Sequence, residues 1–395
     1  MSDFYCPAPW HVGFYTHQEQ SVCCAYTAQQ NTTPLKYIAS DEVKEIKRNL
    51  LSGTPIGTCK NYCQLQEQRG LTSLRQQYIE FPLFPGEFDR NIDSTPMPRR
   101  IEVRLSNLCN FSCRMCSPKW SSNISKEIKI HPHLKQYYTD LDVEVHEEDY
   151  AETVEDIKKI IPHLHYLTFT GGEPTITKPV LELIDYIIDN GYTEQITLHI
   201  VTNTSVINQN ILSKLEKFAK GQITLSLDGI GAVAEYQRFG TRWEQVYNNI
   251  VSIGTLVDRM NGKYEANVNI TLTAYNVLRF AEFMKFYKML FEEYNFSVNM
   301  TVTTSPTFLN VFVLPEHLRA IAKSELSLSL EILEDIDFKT LAINTLIEQL
   351  KSCLEQFDTI QVEQQIQNKF VEYTQELDRA RNQSFFDVFN VPLVA

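Results

Sequence analysis

Three cysteines within one short stretch, Cys109, Cys113 and Cys116 of IEVRLSNLCNFSCRMC (101–116), constrain this chain more than any other feature. They follow an apolar, strand-like run, and their C-x3-C-x2-C spacing lets three thiolates face one centre. No fourth Cys or His follows at ligand distance, so one metal position stays open. Cys-only ligation suits zinc or an iron–sulfur cluster. Structural zinc is normally closed by four ligands, so three thiolates point instead to a cluster with one reactive iron. Three buried cysteines without chemistry are the plain alternative, because free cysteine is among the most buried residue types.

The length, 395 residues, exceeds a single ordinary core and suits two or three domains. With 43% hydrophobic and 22% charged residues the composition is that of a globular protein. The net charge of -13 argues against broad nucleic-acid binding. The first residues, MSDFYCPAPW, lack the basic and apolar regions of a secretory signal, and no run of eighteen apolar residues could span a membrane, so a cytoplasmic protein is expected. Nine cysteines, grouped rather than scattered, favour metal ligation in a reducing compartment over disulfides.

Five of those cysteines precede residue 75: Cys6, the adjacent Cys23 and Cys24, then Cys59 and Cys63. FYCPAPWHVGFYTHQEQSVCCAY (4–26) reads as two short strands around a polar turn, followed by a helix at 40–51 and a C-x3-C loop in TCKNYC. Neighbouring strand residues face opposite ways, so Cys23 and Cys24 can hardly both serve one site. His11 and His17 read as surface or packing residues. A zinc-stapled hairpin and an iron–sulfur site both remain open here.

Residues 79–98, with four prolines, read as a linker. Strand patterns then alternate with helical ones: strands near 101–106, 164–170, 195–202, 222–228, 266–273 and 296–304, and helices near 119–129, 151–161, 178–190, 208–219, 243–259 and 276–290. Six β-α units imply a parallel sheet, open or barrel-shaped, with ligands at the carboxyl ends of its strands. Candidate groups fall at those ends: Gly171, Gly172 and Glu173 in TFTGGEPTI, Thr202 and Asn203 in VTNTS, Ser226 and Asp228 in SLDG. Each could equally be a helix cap or turn residue. DLDVEVHEEDYAETVED (140–156) reads as a solvated acidic loop, with a docking patch for a basic partner as the alternative. Residues 315–395 become helical, and Leu346, Leu350, Leu354 and Phe357 form an apolar stripe that takes in Cys353.

At C-x3-C-x2-C and Gly-Gly-Glu-Pro the chain resembles the radical S-adenosylmethionine (radical SAM) enzymes, over about residues 98–310. The resemblance implies a partial (β/α)6 TIM-like barrel, with Cys109, Cys113 and Cys116 holding a [4Fe-4S] cluster whose fourth iron takes S-adenosylmethionine. It implies reductive cleavage to a 5'-deoxyadenosyl radical, which abstracts hydrogen from a substrate. Gly171, Gly172 and Glu173 would receive the cofactor's amino group, and Asn203, Ser226, Asp228 and Arg238 its ribose and carboxylate. Met115 stands where the family commonly has an aromatic residue beside adenine; a thioether also packs on a ring. No side chain need act as a general base.

The N-terminal cysteines are similar to small auxiliary-cluster modules called twitch or SPASM domains, through the C-x-x-P-W opening at Cys6, the hairpin and the later cysteine pair. This likeness implies an α+β module with Cys6, Cys23, Cys59 and Cys63 around a second cluster, with Cys24 as the alternative to Cys23. The expected division is 1–78 auxiliary module, 79–98 linker, 99–312 barrel and 313–395 helical extension. Proteins with that pairing often act on peptides or proteins and draw electrons from a flavodoxin or ferredoxin. A small-molecule substrate and a non-catalytic cluster-binding sensor are the other readings.

Overall fold

Alternating apolar residues place strands where the sequence expects them. The computed structural model describes residues 4–16, 19–26, 29–30, 32–68, 72–80, 90–139 and 150–394. The chain divides into two compact bodies, residues 1–106, 145–200 and 213–221 in the first and 107–144, 201–212 and 222–395 in the second.

In the first body β1 (Val12–Thr16) pairs antiparallel with β2 (Glu19–Ser21), the expected hairpin, and β2 pairs with β3 (Gln29–Gln30). The other edge of β1 runs parallel to β4 (Arg100–Arg104), with Phe14 opposite Glu102. All five residues of β1 are buried, so both of its edges need hydrogen-bond partners. The cysteine-rich N-terminal residues therefore extend the sheet that contains β4, and the division into bodies cuts across the expected boundaries at 78 and 98. Helix Asp41–Leu51 forms as expected: Ser40 Oγ accepts from Val43 N at 3.3 Å, two acids fill the first turn, and Val43, Ile46 and Leu50 are buried. Of the expected linker, residues 81–89 lie outside the described residues. Its far end is tied down, because Trp10 Nε1 donates to the Asn91 carbonyl at 2.8 Å and Lys47 Nζ to that of Ser94 at 2.6 Å. His11 is buried, a packing residue.

β4, β5 (Tyr166–Phe169) and β6 (Thr197–Thr202) run parallel, with Ile101 opposite Leu167 and Leu167 opposite Leu198. One face buries Ile101, Val103, Leu167, Phe169, Leu198 and Ile200; helices Ala151–Ile160 and Lys178–Asp189 bury their own Ile157, Ile160, Leu183 and Ile187. The other face is polar. Arg104 donates to Glu102 and to Thr170 Oγ1, each at 2.7 Å.

His199 on β6 sits 3.3 Å from Thr168 Oγ1, and burial, helped by the positive Arg100, lowers its pKa from 6.5 to about 4. The folded chain therefore refuses a proton that the unfolded chain accepts below pH 6.5, so stability falls as pH drops through that window and levels off below about 4. Chemical denaturation is expected to lose about 2 kcal/mol between pH 7 and 5 from this histidine. His199→Gln should flatten that part of the curve; superimposable curves would rule the effect out.

The second body takes β7 (Lys220–Ser226) from Gln222 on, then β8 (Tyr264–Leu272) and β9 (Ser297–Val302). β8 and β9 are parallel with Asn269 opposite Asn299, and Leu227 N donates to the Asn269 carbonyl at 3.1 Å. Helices Trp243–Arg259 and Phe280–Tyr294 occupy the expected intervals. Three long helices follow, Glu316–Glu334, Leu341–Thr359 and Gln364–Arg381, the second burying Leu346, Leu350, Cys353 and Phe357 as the stripe requires. Each body is thus α/β with parallel strands, and the chain ends in helices. Of the acidic run, residues 140–149 lie outside the described residues.

Candidate metal and cofactor site

The three-cysteine loop belongs to the second body and is folded by its own polar groups. Ser121 Oγ donates to the Phe111 carbonyl at 2.6 Å and caps helix Ser122–Ile130. Asn107 closes the base, its amide donating to the Pro118 carbonyl at 3.1 Å and its carbonyl accepting from Ser122 N at 2.7 Å. Within the loop Ser112–Cys113 pairs antiparallel with Arg238–Phe239, which sets Cys113 opposite Arg238. Gly240 follows that ribbon at φ +106°, where a Cβ would stand 2.9 Å from the Asn110 carbonyl oxygen, so only glycine fits.

Donors are aimed at two of the three sulfurs, while the Cys116 thiol donates to the Ser117 carbonyl at 3.8 Å. Cys109 Sγ receives Phe111 N at 3.5 Å and Asn203 Nδ2 at 3.9 Å; Cys113 Sγ receives Arg238 Nη1 at 4.0 Å. Cys116 N closes a turn on the Cys113 carbonyl at 3.0 Å. Burial pushes the Cys113 thiol up, against the pull of Arg238, and pushes Cys116 up to about 12, with the neighbouring Cys113 charge adding to it. Buried sulfurs met by N–H donors hold a proton without metal and exchange it for iron, and such donors tune a cluster once it is bound. These residues fit an iron–sulfur cluster. Among the described residues no three His, Cys, Asp or Glu side chains are gathered as ligands of a metal ion.

Asn203 is held in a closed polar ring. Its Nδ2 donates to Asn110 Oδ1 at 2.9 Å, Asn110 Nδ2 donates to Ser205 Oγ at 2.8 Å, and Ser205 Oγ donates back to Asn203 Oδ1 at 2.5 Å. The next residue, β-branched Thr204, sits at φ +66°, a conformation that costs about 1–3 kcal/mol and persists only where neighbours impose it. Asn249 Nδ2 does so by donating to the Thr204 carbonyl at 2.8 Å.

Asp228 and Arg238 meet at 2.6 Å, with their side chains 0% and 12% exposed. The second Asp228 oxygen accepts from Thr271 N at 2.7 Å, so both oxygens are engaged within the protein. That engagement casts Asp228 as the group orienting Arg238. Ser226 and Met115 are half-buried.

The Gly-Gly-Glu turn belongs to the first body. Gly171 lies at φ +120° with its Cβ position 3.1 Å from the Ser106 carbonyl oxygen, and Gly172 N donates to that oxygen at 3.2 Å. Glu173 is fully buried, its Oε1 accepting from Thr175 N at 3.2 Å and Thr175 Oγ1 at 2.6 Å. One carboxylate oxygen therefore caps the next turn.

Among the N-terminal cysteines, Cys6, Cys59 and Cys63 pack in one apolar cluster, and Cys6 and Cys23 in a second. Burial pushes Cys6 up to about 12, with the Cys59 and Cys63 charges adding to it, and holds Cys23 well above the usual thiol value, with Cys6, Cys24 and Cys59 contributing. The segment expected as a loop is helical: Cys59 ends helix Gly57–Cys59 and Cys63 lies in the π-turn Lys60–Gln64. A C-x3-C spacing suits a helix, since residues four apart share a face. Cys23 and Cys24 lie in a turn after β2 rather than on the strand, Cys23 buried and Cys24 exposed. All nine cysteines are free thiols.

Sequence reasoning missed Asn110, Ser205, Gly240 and Arg114. The signal for Arg114 was present, a charged residue inside the C-x2-C interval.

The Radical SAM superfamily profile matches residues 103–254. The 7,8-dihydro-6-hydroxymethylpterin dimethyltransferase of Methanocaldococcus jannaschii is 32% identical over 143 residues, which is 35% of this chain and 24% of that protein. An uncharacterised protein of the same organism is 24% identical over 133 residues, 33% of this chain and 39% of that one. The chain thus spans well under half the length of these curated relatives. Among solved structures, native anSMEcpe with bound AdoMet shares 17% identity over 58% of this chain and 57% of that one, at a TM-score of 0.37. SuiB of Streptococcus suis bound to precursor peptide SuiA shares 13% over 88% and 73%, at 0.39. The similarity to the Radical SAM superfamily thus rests on residues 103–254.

Proposed function

We propose that this chain is a radical SAM enzyme built on a partial (β/α)6 barrel, with a second iron–sulfur cluster in its N-terminal twitch-like residues, about 1–78. The observation that carries it is the set of N–H donors turned on a buried C-x3-C-x2-C loop: Phe111 N and Asn203 toward Cys109, and Arg238 toward Cys113. When bound, the [4Fe-4S] cluster and S-adenosylmethionine supply reductive cleavage to a 5'-deoxyadenosyl radical, using one electron from a flavodoxin or ferredoxin. The chain's own residues hold and orient. Cys109, Cys113 and Cys116 bind the cluster, Arg238, kept in place by Asp228, presents a cation beside Cys113, and Asn203 and Ser226 offer amide and hydroxyl groups to the cofactor's polar atoms. Gly171, Gly172 and Glu173 would receive its amino group, and the Met115 thioether would pack on its adenine.

Cys6, Cys23, Cys59 and Cys63 are the proposed ligands of the second cluster; their packing in two apolar clusters that share Cys6 supports it. A peptide or protein substrate is proposed from that pairing of clusters. A small molecule is the second reading, favoured by the relative named for a pterin. Nine free thiols suit a cytoplasmic setting. Among the described residues no helix is long and apolar enough to cross a membrane.

Anaerobic incubation with S-adenosylmethionine and dithionite is expected to release 5'-deoxyadenosine. A protein with iron and sulfide but no such release would be the sensor instead, and one with zinc alone would be neither. Cys59→Ala is expected to lose about four irons per chain while retaining cofactor cleavage; iron content equal to the wild type would remove the second cluster.

A further inference from the structure

Arg114 lies between the second and third cysteines of the motif and is 0% exposed. Burying a guanidinium costs several kcal/mol unless it is paired, and a metal-binding loop needs no cation at that position. Here Nη2 and Nε are paired, and Nη1 alone has no hydrogen-bond partner among the described residues. Nη2 donates to Asp378 Oδ1 at 2.5 Å and to Gln383 Oε1 at 2.9 Å, Nε donates to the Tyr236 carbonyl at 3.0 Å, and the guanidinium lies 3.6 Å from the Tyr236 ring centroid. Its backbone is held as well, N–H to the Gln237 carbonyl at 2.8 Å and carbonyl from Tyr373 Oη at 2.6 Å. Asp378, Tyr373 and Gln383 all belong to helix Gln364–Arg381 or the turn that ends it. Asp378 is itself fixed, because its other oxygen accepts from Phe385 N at 2.9 Å. The same helix grips the far side of the loop, where Arg381 meets Glu127 of helix Ser122–Ile130 through two bonds at 2.7 and 2.8 Å.

We propose that the C-terminal helix holds the peptide between Cys113 and Cys116 in its cluster-binding form, with Asp378 a positioning residue acting through Arg114; the inference rests on the proposed cluster of that loop. Sequence separation hides the arrangement, since 264 residues part the partners.

The test compares wild type, Asp378→Ala and Tyr373→Phe, each reconstituted anaerobically. Two quantities are read per loaded cluster: the electron paramagnetic resonance spectrum of the reduced protein with and without S-adenosylmethionine, and the rate of 5'-deoxyadenosine release. Only a cluster with an open iron responds to the cofactor, so the difference spectrum reports this loop. Asp378→Ala should alter that difference spectrum and slow release about 10- to 100-fold, the scale of a small misplacement of reacting groups. Tyr373→Phe removes one hydroxyl and leaves the ring packed on Tyr137 and Phe308, so it folds even if the first variant does not; a shifted spectrum with a few-fold slower release is expected. An active wild type with both variants unchanged per cluster overturns the positioning role alone. A wild type that loads no cluster and releases no 5'-deoxyadenosine overturns the proposed function and this inference together.

Discussion

Cys113→Ala is expected to abolish 5'-deoxyadenosine release altogether and to remove about four irons per chain, whereas Cys59→Ala should lose as much iron and keep the release. The reason is geometric. Cys113 is the middle thiolate, fixed by the ribbon that pairs it with Arg238, and the next turn closes from its carbonyl onto Cys116 N. Alanine keeps that backbone but deletes the sulfur, so two thiolates remain to hold a cubane that needs three. The second cluster should survive, since Cys6, Cys23, Cys59 and Cys63 share no ligand with the loop. Cys353→Ala is the matched control: that thiol is buried among Leu346, Leu350 and Phe357 on one helix face, and its loss should leave iron and product unchanged. Release from Cys113→Ala at even a tenth of the wild-type rate would mean that cleavage occurs elsewhere.

The six strands of the β-α alternation were legible because each is a short apolar run between turn residues, and the structure places a strand at each within a few residues. The N-terminal residues were legible as a hairpin and a helix. Their attachment was not, because parallel pairing of β1 with β4 joins residues some ninety positions apart and leaves no local pattern. The C-x3-C segment was misread as a loop for a related reason: its polar residues Lys60, Asn61 and Tyr62 look like a turn, while the one-turn spacing of its cysteines is what a helix provides. At the site, the cysteines and Gly-Gly-Glu announce themselves by spacing. Asp228 and Arg238 were expected as cofactor contacts from their place after a strand; that Arg238 and Thr271 N engage both Asp228 oxygens is a tertiary fact no local pattern carries. Arg114 escaped altogether, since its partners come from a helix whose sequence shows only amphipathic periodicity.

Asp228→Ala should be the most destabilising of the site substitutions, by about 3–5 kcal/mol, because removing one partner of a buried pair strands the other. Arg238 would keep a guanidinium only 12% exposed with its carboxylate gone, and Thr271 N–H would lose its acceptor. Denaturation of metal-free protein isolates this term from cluster loss. Asp228→Asn keeps a neutral acceptor for Thr271 and should cost less than the alanine, while still loosening Arg238 and slowing cofactor cleavage about 10-fold or more. A double variant separates the two effects. Asp228→Leu with Arg238→Met replaces the pair by apolar groups of similar size, which is often neutral to stability. It should recover most of the stability lost by Asp228→Ala and none of the cleavage. Recovery of both would mean that the ion pair only fills space, and an alanine variant within about 1 kcal/mol of wild type would mean that the pair is not buried in solution as it is here.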